Sequence, residues 1–212
     1  MLSITVDDRD LEVAENTTIL TACLENDIYI PNLCFMESMA HPPASCRLCF
    51  VEIAGMDRPV TSCTIKVTQG MRVATDTPDV RRLQRSALRM LLSVHHIDCR
   101  NCPANRQCEL QKIAKFLKMG LKAKPLETVL KDVEIDNTHP HIDYFPNRCV
   151  LCGKCIEVCR EQNGYPFFAF AKRGFHTIIS AYGLKVTSDN NCRTCEACVA
   201  ICPVAAIMMR AE

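Results

Sequence analysis

Closely spaced cysteines constrain this chain of 212 residues more than any other feature. Two runs of the same form are Cys149-x2-Cys152-x2-Cys155-x3-Cys159 and Cys192-x2-Cys195-x2-Cys198-x3-Cys202. Three thiolates at every third residue can bind three irons of one cubane cluster, and a fourth thiolate after a longer step points away from that cluster. The chain is therefore expected to fold around metal centres rather than around one large hydrophobic core.

The two runs resemble the signature of bacterial two-cluster ferredoxins, in which the fourth cysteine of each run binds the other cluster. Arg160 follows the first run and Pro203 follows the second, a difference that removes no ligand. Structural zinc is the alternative, but zinc-binding cysteines usually come in twos separated by a longer gap. The predicted ligands are Cys149, Cys152, Cys155 and Cys202 for one [4Fe–4S] cluster and Cys192, Cys195, Cys198 and Cys159 for the other.

Composition and the N-terminal sequence exclude several classes of protein. No basic segment followed by an apolar one is present at the N-terminus, so no signal peptide is predicted and a secreted disulfide scaffold is not favoured. No run of about 18 apolar residues predicts a membrane span. A formal net charge of +1 gives no basic surface for nucleic acid or anionic membrane. The cysteines are expected as metal-bound thiolates in the cytoplasm.

The first 77 residues carry short apolar segments in an order that predicts a β-grasp domain, a hairpin and a helix followed by more strands. The predicted hairpin pairs residues 2–6 with 11–13 and turns at Asp7 and Asp8. The predicted helix is capped by Thr17 or Thr18 and carries the apolar residues Ile19, Leu20, Cys23 and Leu24. Further strands are predicted at residues 51–53, 60 and 71–73.

Four cysteines accompany these elements, in the order Cys34-x11-Cys46-x2-Cys49-x13-Cys63. Plant-type [2Fe–2S] ferredoxins place three cysteines in a loop and a fourth at a distance, with a shorter first gap. The four residues are therefore predicted to bind a [2Fe–2S] cluster, and a structural zinc site is the alternative. Cys23 is expected to be a buried hydrophobic residue rather than a ligand.

A motif of one histidine and three cysteines follows a helix predicted over residues 79–92. It has the form His95-x3-Cys99-x2-Cys102-x5-Cys108. Three cysteines leave a four-iron cluster one ligand short, and a neutral imidazole can supply the last one, as it does in Rieske centres. From chemistry alone, His95 and His96 are both candidates.

This histidine motif, continued by Leu110, resembles the histidine-ligated [4Fe–4S] motif of one family. The family comprises the large iron–sulfur subunit of respiratory complex I, the N-terminal extension of [FeFe] hydrogenases, and the small diaphorase subunit of NAD-linked hydrogenases and formate dehydrogenases. Residues 30–34 and 46–52 are similar to its [2Fe–2S] region, and the resemblance covers nearly the whole chain. It implies that His95 binds the cluster with Cys99, Cys102 and Cys108, and that His96 does not.

The motifs together predict an α+β chain of three domains: a β-grasp [2Fe–2S] domain (1–77), a helical histidine-ligated [4Fe–4S] module with a connecting segment (78–142), and a two-cluster ferredoxin domain (143–212). The sequence also predicts a helix at 110–118 ended by Gly120 and a β-hairpin that turns near Arg173 and Gly174. Four arginines of the helix at 79–92 are expected to form a solvated face: Arg81, Arg82, Arg85 and Arg89. Apolar residues near the ferredoxin-type ligands are expected to keep water off the clusters, namely Ile156, Val158, Val199, Ile201, Val204 and Ile207, and no metal binding is expected of His139, His141 and His176.

The expected cofactors are one [2Fe–2S] and three [4Fe–4S] clusters. No Gly-x-Gly-x-x-Gly motif, P-loop or activated nucleophile is evident, so no flavin, nicotinamide or catalytic residue is predicted on this chain. The sequence predicts a non-catalytic electron-transfer subunit of a soluble multi-subunit oxidoreductase. The resemblance implies an FMN-containing, NADH-oxidising subunit as one partner and a hydrogenase or formate dehydrogenase subunit as the other, and electron bifurcation if a ferredoxin also docks.

Three alternatives stay open. The sequence stops soon after the ferredoxin motif, whereas complex I large subunits and [FeFe] hydrogenases continue into a large C-terminal domain, so the resemblance favours the stand-alone diaphorase subunit. The alternatives are an electron-relay part of a complex I-like NADH dehydrogenase, a fragment of a larger hydrogenase chain, and a zinc-binding interaction scaffold.

Overall fold

The structure is a computed structural model that describes residues 1–181 and 192–210. Its elements are a mixture of helices and short strands, which confirms the predicted α+β class. The backbone divides into two compact units, Met1–Arg89 with Ile113–Gly120, and Met90–Lys112 with Leu121–Glu212. The boundaries of the three predicted domains stay a prediction.

The first unit contains a five-stranded sheet built from β1 (Leu2–Val6), β2 (Arg9–Val13), β3 (Phe50–Ile53), β4 (Val60–Thr61) and β5 (Arg72–Ala74). The strand order is β2-β1-β5-β3-β4. β1 runs parallel to β5 and antiparallel to β2, while β3 runs antiparallel to β5 and β4. The predicted hairpin and the later strands are therefore confirmed.

Helix α1 (Ile19–Glu25) packs into the same core as the sheet. Its cap is Thr18, whose Oγ1 accepts a hydrogen bond of 3.1 Å from the N–H of Thr21. Cys23 is buried, and burial is the main cause that raises the pKa of its thiol to about 12, as expected for a hydrophobic residue. Leu24, predicted on the buried face, is 37% exposed, because the apolar face of this short helix is only wide enough for Ile19, Leu20, Ala22 and Cys23.

Helices α2 (Pro78–Ser93) and α3 (Glu109–Phe116) follow. The prediction that the arginines of α2 form a solvated face is wrong for Arg81 and Arg85. Arg81 pairs with Asp76 at 2.5 Å and lies 4.3 Å over the Phe116 ring, and Arg85 Nε donates to the carbonyl of Leu117 at 3.1 Å. The reason is that residues 116–117 contact this side of α2, which the helical periodicity of α2 cannot indicate.

The predicted end of α3 at Gly120 is also wrong. The helix ends at Phe116, and Lys118 adopts a left-handed φ of 53° two residues later. The N–H of Met119 then donates to the carbonyl of Ala114 at 2.8 Å, which satisfies one of the free carbonyls at the helix end. Lysine therefore occupies the left-handed position in which glycine is expected.

The second unit contains a 3₁₀ turn (Cys99–Asn101), β6 (Ile142–Tyr144), α4 (Lys154–Asn163), β7 (Phe168–Ala171), a 3₁₀ turn (Gly174–His176), β8 (Ile178–Ala181), α5 (Cys192–Cys195), α6 (Ala197–Ala200) and β9 (Ile207–Met209). β6 pairs with β9, and β7 pairs with β8 as the predicted hairpin, both antiparallel. α4 packs against α6. In the described part of the chain, no helix is both long and apolar enough to cross a membrane.

Candidate metal centres

The four cysteines predicted to bind the [2Fe–2S] cluster, Cys34, Cys46, Cys49 and Cys63, are all buried. Ser62 holds the chain at this site, because its N–H and its hydroxyl both donate to the carbonyl of Cys49, at 2.9 and 2.8 Å. The N–H of Leu20 in α1 donates to the carbonyl of Ser62 at 3.1 Å. Helix α1 therefore fixes the segment that carries the fourth cysteine.

These cysteines form two close pairs. A hydrogen bond with Cys46 is the largest cause that lowers the pKa of Cys34, to about 5, and a hydrogen bond with Cys63 is the largest that lowers the pKa of Cys49, to about 7. The same hydrogen bonds, followed by burial, raise the pKa of the partner thiols. Four thiolates in two pairs fit a [2Fe–2S] cluster, whose two irons are held by four cysteines.

The imidazole of His95 lies in the second unit with its Nδ1 2.9 Å from the carbonyl oxygen of Arg148. A carbonyl oxygen can only accept, so Nδ1 carries the proton and Nε2 keeps its lone pair. Burial is the largest cause that lowers the pKa of His95 to about 4, so the ring is neutral at pH 7. His96 is exposed instead. The ring of His95 is half-buried and neutral, and neutral imidazole is the form in which histidine binds metal.

The three cysteines that follow His95 lie close to one another. The N–H of Cys102 donates to the carbonyl of Cys99 at 3.3 Å, within the 3₁₀ turn. Cys108 is buried, and its pKa is raised first by burial and then also by Cys102 and Cys99. No cysteine is among the causes that shift the pKa of His95, so the structure does not by itself join the imidazole to these thiols.

A small cavity in the second unit collects the ligands predicted for one [4Fe–4S] cluster. Cys149, Cys152, Cys155 and Cys202 all line it, together with the apolar side chains of Val150, Ile179, Val204, Ala206 and Ile207 and with Gly153. Val204 and Ile207 are two of the residues predicted to line a cluster. Val150 and Ile179 also line the cavity but were not predicted from the sequence. For Ile179, the adjacent apolar residues Ile178 and Ile179 at the start of β8 could have indicated a buried position. Ile156, Val158, Val199 and Ile201 do not line this cavity.

The electrostatic neighbours of the thiols repeat the predicted exchange between the two runs. Burial is the largest cause that raises the pKa of Cys152 to about 12, and the charges that raise it further are those of Cys149 and Cys202. Burial likewise raises the pKa of Cys198 to about 12, and the charges that add to it are those of Cys159, Cys192 and Cys195. Each run thus has its last cysteine beside cysteines of the other run.

Several N–H groups point at the sulfurs of this domain. The backbone N–H of Leu151 lies 3.4 Å from Cys149 Sγ, that of Ala206 lies 3.2 Å from Cys202 Sγ, and that of Phe167 lies 3.3 Å from Cys159 Sγ. The side-chain amide of Asn163 lies 3.7 Å from Cys159 Sγ. Donors of this kind stabilise a thiolate and influence the reduction potential of a cluster that it binds.

The described residues contain no group of three or more His, Cys, Asp or Glu side chains placed to hold one metal ion. Ligands of a cubane cluster need not converge in this way, because each thiolate binds a different iron. A coordinating thiol loses its proton when metal binds, so thiols that burial keeps protonated in the metal-free chain would become thiolates in a cluster. The residues present therefore fit iron–sulfur clusters.

Three families of iron–sulfur domain match consecutive regions of the chain. A 2Fe-2S iron-sulfur cluster binding domain matches residues 1–78, the NADH-ubiquinone oxidoreductase-G iron-sulfur binding region matches residues 84–121, and a 4Fe-4S dicluster domain matches residues 148–206. Three regions of the chain are therefore similar to iron–sulfur domains, in that order.

Its relatives are subunits of oxidoreductases. The NADPH-Fe(3+) oxidoreductase subunit alpha of Geobacter sulfurreducens is 36% identical over 210 residues, which are 99% of this chain and 24% of that protein. An NADP-reducing hydrogenase subunit of Solidesulfovibrio fructosivorans is 32% identical, over 98% of this chain and 36% of that protein. The NADH-ubiquinone oxidoreductase 75 kDa subunit of Reclinomonas americana is 31% identical, over 98% of this chain and 29% of that protein. The chain thus spans well under half the length of these relatives.

A solved structure of an NAD+-reducing [NiFe]-hydrogenase in the H2-reduced state contains a chain with the same fold. Its TM-score is 0.85 at 27% identity, and the match covers 100% of this chain and 88% of that chain. The resemblance to the iron–sulfur proteins of hydrogenases and complex I, which the motifs predict, is therefore confirmed.

Proposed function

We propose that this chain is a non-catalytic electron-transfer subunit that carries one [2Fe–2S] and three [4Fe–4S] clusters. The single observation that carries the proposal is that Cys202 of one run lies with Cys149 and Cys152 of the other run in one cavity of the second unit. Such clusters take up and release one electron at a time. The role of the chain is to hold them in fixed positions and to shield them from water.

Each group of ligands is assigned to one cluster in this proposal. The two close pairs in the first unit support a [2Fe–2S] cluster in a β-grasp domain, and the neutral, half-buried ring of His95 supports a histidine ligand. The proposed ligand sets are Cys34, Cys46, Cys49 and Cys63; His95, Cys99, Cys102 and Cys108; Cys149, Cys152, Cys155 and Cys202; and Cys192, Cys195, Cys198 and Cys159.

The proposed partners are those that the resemblance of the sequence motifs implies. One is an FMN-containing subunit that oxidises NADH, and the other is a hydrogenase or formate dehydrogenase subunit, with a ferredoxin as an additional partner in a bifurcating complex. The match to an NAD+-reducing hydrogenase over 100% of this chain supports this assignment. We place the complex in the cytoplasm, where thiols stay reduced until metal binds them.

A complex I-like NADH dehydrogenase is the second candidate. The match of residues 84–121 to the NADH-ubiquinone oxidoreductase-G region favours it. An NADH-quinone oxidoreductase chain of Rhizobium meliloti also favours it, since it is 33% identical over 98% of this chain and 24% of that protein. Purification of the native complex and identification of its other subunits distinguishes the two candidates.

Anaerobic analysis of iron and acid-labile sulfide tests the proposal. We expect equal amounts of iron and sulfide, at the total of one [2Fe–2S] and three [4Fe–4S] clusters per chain, and visible absorbance that dithionite bleaches. Stoichiometric zinc without sulfide would instead support a zinc-binding scaffold. In a second test, Cys202→Ser should alter the cluster that Cys149 binds, and Cys159→Ser should alter the other cluster of the same domain.

A further inference from the structure

Residues 129–131 of the connecting segment, here named the bridging segment, bind two separate parts of the second unit. On one side, the N–H of Val129 donates to the carbonyl of Ser93 at 2.8 Å. On the other side, the side-chain amide of Asn147 makes two hydrogen bonds with Lys131. Its Oδ1 accepts from the Lys131 N–H at 2.7 Å, and its Nδ2 donates to the Lys131 carbonyl at 2.9 Å.

The two anchored parts meet again at the histidine motif. The backbone carbonyl of Asn147 accepts a hydrogen bond of 2.7 Å from the N–H of His96. The next carbonyl, that of Arg148, accepts from Nδ1 of His95 at 2.9 Å. Two successive carbonyls therefore hold the backbone and the ring of the histidine pair, and the side chain of Asn147 fixes the position of those carbonyls.

Asn147 is itself well suited to this task. It is buried, with only 8% of its surface exposed, so its hydrogen bonds with Lys131 do not compete with bulk water. Both polar ends of its amide are satisfied by the same backbone residue, which restricts the rotation of the side chain. An aspartate could accept from the Lys131 N–H but could not donate to the Lys131 carbonyl.

We propose that Asn147, together with the bridging segment, is a positioning residue that orients the imidazole of His95 toward the iron that it binds. The proposal deepens the proposed function and rests on the assignment of His95 as a ligand. Asn147 touches neither the ring nor any ligand thiol in this scheme, and it acts through the carbonyl of Arg148. The connecting segment is then part of the metal site and more than a link between domains.

Asn147 can affect the cluster because a group that hydrogen-bonds to a metal-bound histidine, here the Arg148 carbonyl, influences how strongly that histidine binds the metal. A hydrogen bond from the remote ring nitrogen fixes the tautomer and the ring orientation, and it makes the metal-binding nitrogen more basic. If the Arg148 carbonyl moves, this bond lengthens and Nε2 becomes a weaker donor to iron. The cluster that His95 binds then becomes easier to reduce, so its midpoint potential rises.

The test uses the full holo chain, purified without air and labelled with ¹⁵N-histidine. Pulsed EPR measures the coupling between the reduced cluster and the histidine nitrogen, and EPR-monitored titration measures the midpoint potential of each centre. The two test variants are Asn147→Ala, which removes both hydrogen bonds with Lys131, and Val129→Pro, which removes the donor to Ser93. The control is Asn137→Ala, which shortens an exposed asparagine of the same connecting segment.

We expect both test variants to change the nitrogen coupling and to raise the potential of that one centre, while the control leaves both unchanged. A nitrogen coupling in Asn147→Ala that equals the wild-type coupling would overturn the proposal. Equal shifts in all four centres would also overturn it, because they would indicate a general loss of structure. An absence of nitrogen coupling in the wild-type protein would contradict the ligation by His95, and therefore the proposed function itself.

Discussion

The backbone N–H of Glu109 donates a hydrogen bond of 3.1 Å to the carbonyl oxygen of Pro203. Glu109 directly follows Cys108, and Pro203 directly follows Cys202. One hydrogen bond thus joins the chain beside a proposed ligand of the histidine-ligated cluster to the chain beside a proposed ligand of a ferredoxin-type cluster. These two centres are therefore expected to be neighbours in the relay.

A Glu109→Pro variant tests this connection. Glu109 is the first residue of α3, a position at which proline is well tolerated because that N–H has no partner within the helix. The variant removes the donor to Pro203 and also the carboxylate that pairs with Lys112 at 2.6 Å, a loss that it shares with Glu109→Ala. We expect slower electron exchange between the two centres and unchanged potentials, measured by freeze-quench EPR after rapid reduction. Glu109→Ala keeps the N–H and should behave as the wild type.

The choice between two adjacent histidines gives a second prediction. His95→Ala should remove or alter one [4Fe–4S] signal in the EPR spectrum and leave the other three centres, because the ring of His95 is half-buried and bonded through Nδ1. His96→Ala should change no signal, since that side chain is exposed. An unchanged spectrum in the first variant with a lost signal in the second would reverse the assignment.

Arg210 gives a third prediction. Its guanidinium pairs with Asp143 at 2.9 Å and donates to the carbonyls of Asn137 and His139 at 2.8 and 2.9 Å. Arg210→Met leaves these carbonyls without their donor and should lower the thermal stability of the second unit, at a cost of about 2 kcal/mol. Arg210→Lys should recover only part of the loss, since an ammonium cannot reproduce the planar fork. Differential scanning fluorimetry under nitrogen measures both variants.

A fourth prediction concerns acid. His139 is 3% exposed and stacks on Phe168 at 5.8 Å between ring centroids. Its Nδ1 accepts from the N–H of His141 at 3.1 Å, and no polar atom of the described residues bonds its Nε2. Burial is the largest cause that lowers the pKa of His139 to about 4, followed by the charges of His141 and Arg210. The folded protein therefore keeps this ring neutral.

Because folding lowers the pKa of His139, the protein is expected to lose stability as the pH falls. Above pH 6.5 the ring is neutral in both the folded and the unfolded chain, and the protein keeps its full stability. As the pH falls from 6.5 toward 4, the unfolded chain binds a proton that the folded chain does not, and stability is lost, by about 1–2 kcal/mol at about pH 5. His139→Phe should remove this part of the pH dependence. Melting temperatures of both proteins at neutral and at mildly acidic pH measure it, and an equal drop in both would contradict the assignment.

The spacing of the cysteines carries most of what the sequence can predict. It indicates which thiols lie together, because ligands within one short run are held by local backbone geometry. The hairpin over residues 168–181 and the Thr18 cap are also predictable, since turns and caps depend on a few adjacent residues. The exchange of Cys202 and Cys159 between the runs comes from the ferredoxin resemblance, and the thiols of the structure are grouped accordingly.

Long-range polar contacts cannot be predicted in the same way. The bonds of Asn147 with Lys131 and of Arg210 with residues 137–143 join positions far apart in the sequence, and neither residue type has a spacing that indicates its partner. The same limit explains the error on Arg81 and Arg85. Helical periodicity distinguishes apolar from polar faces, but it does not tell a solvated arginine from one that lies on a phenylalanine ring.

The alternation of the two cysteine sets along the chain has a consequence for biogenesis. In the proposed assignment, Cys202 completes the set of Cys149, Cys152 and Cys155, and Cys159, which comes earlier in the chain, completes the set of Cys192, Cys195 and Cys198. The first of these proposed clusters would close the loop from Cys155 to Cys202, which contains every ligand of the second, and metal binding would supply part of the folding energy of both. The second set is complete once Cys198 has been translated and the first only once Cys202 has, so both clusters are expected to be inserted after translation of residues 192–202.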